Sequence, residues 1–247
     1  MFWKHGKRWV YSITYDEGCA ALLEHALPLH REYGVPGHVA LVASQVGVPR
    51  CVPGSSYNGM MILSKSQVHA LAAEGWGVSC HGLTHSRIEP GNAHREVAHA
   101  RRVLEDVLEM PVRIFCVPGN NDSYPAARAV AAEAGYAAIF TLYDQVNRPS
   151  DDLFRLGRCP LHTRYPAPFF SLFDPYKRLH QARDLGAWVI DYCHCPMPGR
   201  AIHPEKDCTT EELEARFDAV RRVGGDEVWL AEPNEVVCWL GGASQNG

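Results

Sequence analysis

The sequence predicts an α/β barrel of about seven parallel strands, and three observations predict it. Short β-rich runs alternate with helical patterns six or seven times, the order expected of parallel strands covered by helices. A length of 247 residues suits one such barrel as a single domain spanning 1–247. The residues able to carry chemistry fall where four of the β-rich runs stop. In a parallel barrel all strand C-termini open on one face, and that face holds the site.

The elements follow in chain order. "WVYSIT" (9–14) is the first β-rich run and leads into Asp16 and Glu17. "CAALLEHALPLHREYG" (19–34) sets Leu22, Leu23, Ala26 and Leu27 at helical spacing and stops near Gly34. "HVALVAS" (38–44) is the second run, and "GVPRCVPGSSYNG" (47–59) is a loop. "SKSQVHALAAEG" (64–75) opens with a capping box, Ser64 with Gln67, and closes at Gly75. "WGVSC" (76–80) runs into "HGLTH" (81–85). "NAHREVAHARRVLEDVL" (92–108) carries Val97, Leu104, Val107 and Leu108 on one helical face. "VRIFCV" (112–117) runs into "PGNND" (118–122). "YPAARAVAAEAG" (124–135) has Pro125 in its first turn and Gly135 at its end. After "AAIFTLY" (137–143), residues 145–173 are rich in Pro and Arg and read as a long irregular crossover. "DPYKRLHQARDLG" (174–186) reads as a helix, and "WVIDYC" (188–193) as a strand running into His194. "TTEELEARFDAVRRVGG" (209–225) has a second capping box, Thr209 with Glu212, and buries Leu213, Phe217 and Val220. "EVWLAE" (227–232) is the last run. No repeat of 20–50 residues interrupts the pattern.

Composition narrows the function. With 46% hydrophobic and 21% charged residues, the chain has the make-up of a soluble globular protein. A net charge of −4 gives no basic field for nucleic acid. No apolar stretch approaches the roughly 20 residues of a membrane helix. The opening "MFWKHGKRWVYSITYDEG" has no signal-peptide apolar region, so the expectation is a cytoplasmic protein. Nine cysteines without a CxxC pair are expected as free thiols, most of them small buried hydrophobes. Trp76, Trp188 and Trp229 are expected in the core.

The four strand ends bring two acids, three imidazoles and a Gly-containing turn to one mouth. Adjacent Asp16 and Glu17 repel each other when ionised, and such a dipeptide is usually a solvated turn. Its place at the end of a β-rich run sets it apart. His81 and His85 form the chain's only H-x3-H pair, a spacing that puts both rings on one side of a helical turn and suits chelation. With 13 His in the chain, that spacing carries weight only together with the preceding strand and with Glu17. Cys193 and Cys195 flank His194, but strand alternation points them away from its side, which makes them buried thiols rather than soft ligands. Cys80 and Cys116 adjoin the site without a role.

These motifs resemble those of the polysaccharide deacetylases, the NodB-homology or carbohydrate esterase family 4 type. "SITYDEG" is similar to the family's T-F-D-D-G, and "LSKSQVHALAAEGWGVSCHGLTH" to its helix, "GW", strand and H-[ST]-x-x-H. "VLEDVLEMPVRIFCVPGN" resembles the stretch ending F-x-x-P-x-G, and "WVIDYCH" the late motif ending in His. The resemblance implies a distorted (β/α) barrel, a divalent metal, and hydrolysis of an N-acyl group on an amino sugar. Carried across, Asp16 is the general base, Glu17, His81 and His85 hold the metal, and His194 is the general acid. The backbone near Gly119 and Asn120 forms the oxyanion site. The chain departs from the pattern in three places. Glu17 stands where the family has Asp, and its extra methylene moves the oxygens by up to about 1.5 Å. Cys116 stands where an Arg is frequent, removing a partner for the base. The fourth, usually acidic, motif maps onto "SDDLFRLGR", which offers Asp151, Asp152 and Arg158, with Arg158 taken as an orienting residue. Two His and a carboxylate suit Zn²⁺, and Fe, Co, Mn and Ni are compatible. The expected substrate is an N-acylated saccharide or small molecule. A deformylase or other small-amide hydrolase on the same fold, and a catalytically silent binding homologue, are the alternatives. A homo-oligomer is compatible with the sequence.

Overall fold

The computed structural model describes residues 3–165 and 170–243. Its centre is β1 (Trp9–Glu17), nine consecutive buried residues. β2 (His38–Leu41), β3 (Gly77–Cys80), β4 (Ile114–Cys116) and β5 (Ala138–Phe140) follow outward from one edge of β1; β7 (Trp188–Cys193) and then β6 (Cys159–Pro160) follow from the other. All these pairings are parallel. β8 (Val228–Leu230) pairs with β1 at Trp9–Tyr11, while β2 pairs with it at Tyr15–Glu17, so the two share one edge of the long strand. An isolated parallel bridge between Phe140 and Leu156 links β5 to the segment entering β6 and curls the ends of the sheet together. This is the distorted barrel that the strand–helix alternation predicts.

Alternation along the strands sorts the side chains into two layers. Val10, Ala40, Ile114, Cys116, Ala138, Phe140, Trp188 and Ile190 pack on one another inside the curl. Trp9, Tyr11, Ile13 and Tyr15 of β1 face the helices instead. Ser12, Thr14 and Asp16 therefore continue the inner row from Val10 toward the mouth. Seven of the nine cysteines are buried, all are free, and only Cys51 and Cys238 are exposed. Trp76, Trp188 and Trp229 are buried as expected.

The α-helices are α1 (Leu22–His25), α2 (Leu27–Tyr33), α3 (Lys65–Ala73), α4 (Ala100–Leu108), α5 (Tyr124–Ala131), α6 (Leu179–Leu185), α7 (Thr210–Gly224) and α8 (Pro233–Ala243), and a π-helix over His94–His99, with Val97 buried, leads into α4. Both capping boxes form, Ser64 with Gln67 and Thr209 with Glu212. Four expectations need correction. The helix over 19–34 is two pieces, α1 and α2, because Pro28 cannot donate to the turn before it. On α4 the buried stripe is Ala100, Leu104 and Leu108, and Val107 lies at its flank, 38% exposed. The helix expected from Asp174 begins at Leu179, since Arg178 has a left-handed backbone (φ 63°) that no α-helix accepts. The irregular stretch 145–173, of which 166–169 lie outside the described residues, contains β6, and two residues are too few for periodicity to reveal.

Candidate active site

Asp16 ends the inner row of β1. Regular alternation would turn Glu17 to the opposite face. Glu17 instead has φ 73° and Gly18 φ 72°, and this left-handed turn swings its carboxylate to the mouth beside Asp16. Both acids line one cavity of about 360 Å³.

Asp16 is held by Arg158. The guanidinium donates from Nη1 to Oδ1 at 2.6 Å and from Nη2 to Oδ2 at 3.0 Å. Arg158 itself is fixed by Thr14 Oγ1 (3.0 Å), the Thr141 carbonyl (3.3 Å) and the Tyr192 ring, whose centroid lies 4.6 Å away. Burial alone would raise the Asp16 pKa, but the adjacent Arg158 charge outweighs it and holds the carboxyl well below the usual range. Arg158 thus supplies, from the segment before β6, the partner that Cys116 cannot. The Cys116 thiol lies 3.3 Å from Ser79 Oγ in the barrel interior.

His81 follows β3. Its Nδ1 lies 3.1 Å from the Cys116 carbonyl, which can only accept, so Nδ1 carries the proton and Nε2 is a free lone pair. Residues 81–85 form no helical turn, contrary to the expectation from spacing. Gly82 and His85 take φ 86° and 65°, and a buried carboxylate shapes the loop between them. Glu96 accepts from the Leu83 and Thr84 amides (3.1 and 3.0 Å) and from the Thr84 hydroxyl (2.9 Å). The His81 and His85 rings end 5.0 Å apart. His85 Nε2 is 3.2 Å from Glu17 Oε1, and His81 Nε2 is 3.9 Å from Asp16 Oδ2. Burial depresses both imidazole pKa values, so both rings are neutral at pH 7.

His194 closes the opposite wall beyond β7. Its Nδ1–H donates to the Lys206 carbonyl (2.9 Å), and its ring stacks on Tyr57 at 4.8 Å. Burial pulls its pKa down to about 4. The Asp207 carboxylate anchors the backbone here, accepting from the amides of His194 (3.2 Å), Cys195 (2.8 Å) and Cys208 (3.1 Å) and from the Tyr57 hydroxyl (3.4 Å). Gly119 lines the cavity with a turn conformation of φ 72°. The Asn120 backbone, expected to share in the oxyanion site, is spent elsewhere: its amide donates to the Pro118 carbonyl at 2.9 Å, and its side-chain oxygen accepts from the Asp122 amide at 2.9 Å.

Sequence reasoning missed Arg50, Tyr57, His162, Tyr192 and Lys206, which also line the cavity. The stretch 47–59 is a loop, as expected, yet it delivers Arg50 and Tyr57. Ionisable and aromatic residues among its turn formers were the only signal.

The donor atoms of Glu17, His81 and His85 lie within 4.8 Å of one another. A buried carboxylate beside two neutral imidazoles, one with its tautomer fixed, fits a divalent cation. Cys193, Asp207 and Cys208 also cluster within 4.8 Å, but both Asp207 oxygens already accept two hydrogen bonds each. That second cluster is a strut, and Cys193 and Cys195 are buried thiols as expected.

The mouth of this parallel α/β barrel thus joins a His-His-carboxylate set to an Arg-held Asp and a facing His. The chain belongs to the polysaccharide deacetylase family, whose sequence pattern matches residues 4–139. Arg158 and His194 lie beyond that match. No curated protein matches the chain in sequence. Solved structures that share its fold include the following three. IcaB from Ammonifex degensii is 24% identical, with 60% of this chain aligned to 66% of that one at a TM-score of 0.51. A protein described as a polysaccharide deacetylase from Mycobacterium smegmatis is 16% identical over 99% of this chain and 94% of that one, with a TM-score of 0.60. A de-N-acetylase from Aggregatibacter actinomycetemcomitans is 16% identical over 60% and 68%, with a TM-score of 0.50. No described helix is long and apolar enough to cross a membrane.

Proposed function

We propose that residues 1–247 act as one catalytic domain, a metal-dependent amide hydrolase that removes an N-acyl group, acetyl first, from an amino sugar or small saccharide. The observation that carries this reading is the convergence of Glu17, His81 and His85 within 4.8 Å beside Asp16. Glu17, His81 and His85 would hold the cation, Zn²⁺ being the best match to the donors. Such a cation, when bound, polarises the acyl carbonyl and acidifies water. The cavity of about 360 Å³ lies at the small end for ligand sites, a size suited to one acylated sugar residue.

Every other role falls to the chain itself. Asp16 stays ionised because Arg158 compensates its charge, and it accepts the proton of the attacking water. The Gly119 amide is the donor we assign to the oxyanion. His194 is neutral at pH 7 and cannot begin as an acid. At Nε2, since Nδ1–H is tied to Lys206, it takes over the proton that Asp16 removed from the water and delivers it to the departing amine, which returns Asp16 to its ionised and His194 to its neutral form. Without that delivery C–N cleavage stalls.

The test is metal analysis of the purified protein coupled to a screen for released acetate and formate over matched N-acetyl and N-formyl substrates. Chelation should abolish release and added Zn²⁺ should restore it. Formate release alone would transfer the reading to a deformylase. Bound metal with no amide cleaved would favour a silent binding homologue.

A further inference from the structure

Glu17 has one more rotatable bond than an aspartate, and a free glutamate loses side-chain entropy when it is fixed. Its two oxygens face different partners. Oε1 lies 3.2 Å from His85 Nε2, on the side of the imidazoles. Oε2 is in direct contact with Nη1 of Arg50. Both side chains are almost completely buried. Arg50 comes from the 47–59 loop and is itself fastened there. Its amide donates to the Met60 carbonyl (2.8 Å), its carbonyl accepts from the Gly59 amide (2.8 Å), and its Nε donates to Ser55 Oγ (3.3 Å). The guanidinium is therefore delivered to one carboxylate oxygen by a braced loop.

We propose that Arg50 is a positioning residue for the metal centre: it holds Glu17 Oε2 and leaves Oε1 as the single oxygen presented to a cation beside His81 and His85. This rests on the metal-dependent reading above. A cation beside a metal ligand can have two opposing effects, and metal affinity separates them. If Arg50 only competes for the carboxylate, removing it tightens metal binding. If it orients the carboxylate, removing it weakens binding, by about 10–100-fold as for other outer partners of metal ligands.

The experiment is chelator-competition titration of the full chain with Zn²⁺ and Co²⁺. Arg50→Gln is expected to weaken both metals by about 10–100-fold, and Arg50→Lys, which keeps charge but loses the planar fork, by less. In a Glu17→Ala background Arg50→Gln should cost nothing further, as residues acting through one carboxylate must; a merely structural arginine would still cost there. The Co²⁺ absorption of Arg50→Lys should also change, since a carboxylate free to bind through both oxygens alters coordination number. Unchanged or tighter affinity in both variants overturns the proposal and leaves the metal-dependent reading standing. A wild-type chain that binds neither metal overturns both.

Discussion

Asp16 and Arg158 stand 142 positions apart and form a bidentate pair at the foot of the cavity. Both are buried, so each depends on the other to offset its desolvation. Arg158→Met should destabilise the protein by about 3–5 kcal/mol in urea unfolding, because Asp16 is left as a buried charge without compensation. The same logic separates the chemistry from the metal. Asp16→Asn and His194→Gln should each lower turnover by roughly 10²–10⁴ while elemental analysis finds the metal retained. His81→Ala should instead abolish metal uptake. Normal turnover in Asp16→Asn and His194→Gln would remove the proposed proton path.

Loops, more than strands or helices, decide the shape of the mouth. The 81–85 segment was legible as chemistry because two His follow a strand, but its conformation was not. Spacing suggests a helical turn, whereas Glu96 imposes an irregular loop by taking two amides and a hydroxyl. Glu96→Ala leaves the Leu83 and Thr84 amides without their acceptor. It should cost about 1–3 kcal/mol in chemical denaturation and weaken metal binding in the same titration used for Arg50. Retained stability and affinity would show that the loop holds itself. The 47–59 loop gives the same lesson. Its Gly, Pro and Ser residues announce a loop, and nothing in that composition reveals that it folds back to lay Arg50 on Glu17. At the other boundary, Asp207 was invisible among the charged residues before α7, since its role comes from three amides gathered around it.

Across the whole molecule, buried neutral histidines make stability depend on pH. His30 has Nδ1–H on the Val35 carbonyl (2.6 Å) and Nε2 accepting from the Tyr15 hydroxyl (2.7 Å), a set that only the neutral ring satisfies. Burial lowers its pKa to about 3, and that of His162 likewise to about 3. Their stability contribution is complete above the unfolded value near 6.5. It is lost as pH falls toward about 3, because the unfolded chain takes up protons that the fold refuses. Each such histidine steepens the loss by about 1.4 kcal/mol per pH unit. Urea midpoints measured from pH 7 to 4.5 should fall accordingly, and His30→Gln should flatten the slope. An equal slope in that variant would show that His30 is not among the groups responsible.

The sequence by itself determined the strand–helix alternation, both capping boxes, the burial of most thiols, and the strand ends where Asp16, Glu17, His81, His85, Gly119 and His194 lie. Those are local properties, written in periodicity, capping residues and the punctuation after each apolar run. Tertiary structure alone decided that Arg158 replaces the missing partner of Asp16, that Arg50 reaches Glu17, and that Glu96 and Asp207 hold the loops carrying the imidazoles. Those contacts join residues from different turns of the barrel. Their energy comes from burying charge against charge and amide against carboxylate, which no residue carries in its own stretch of chain.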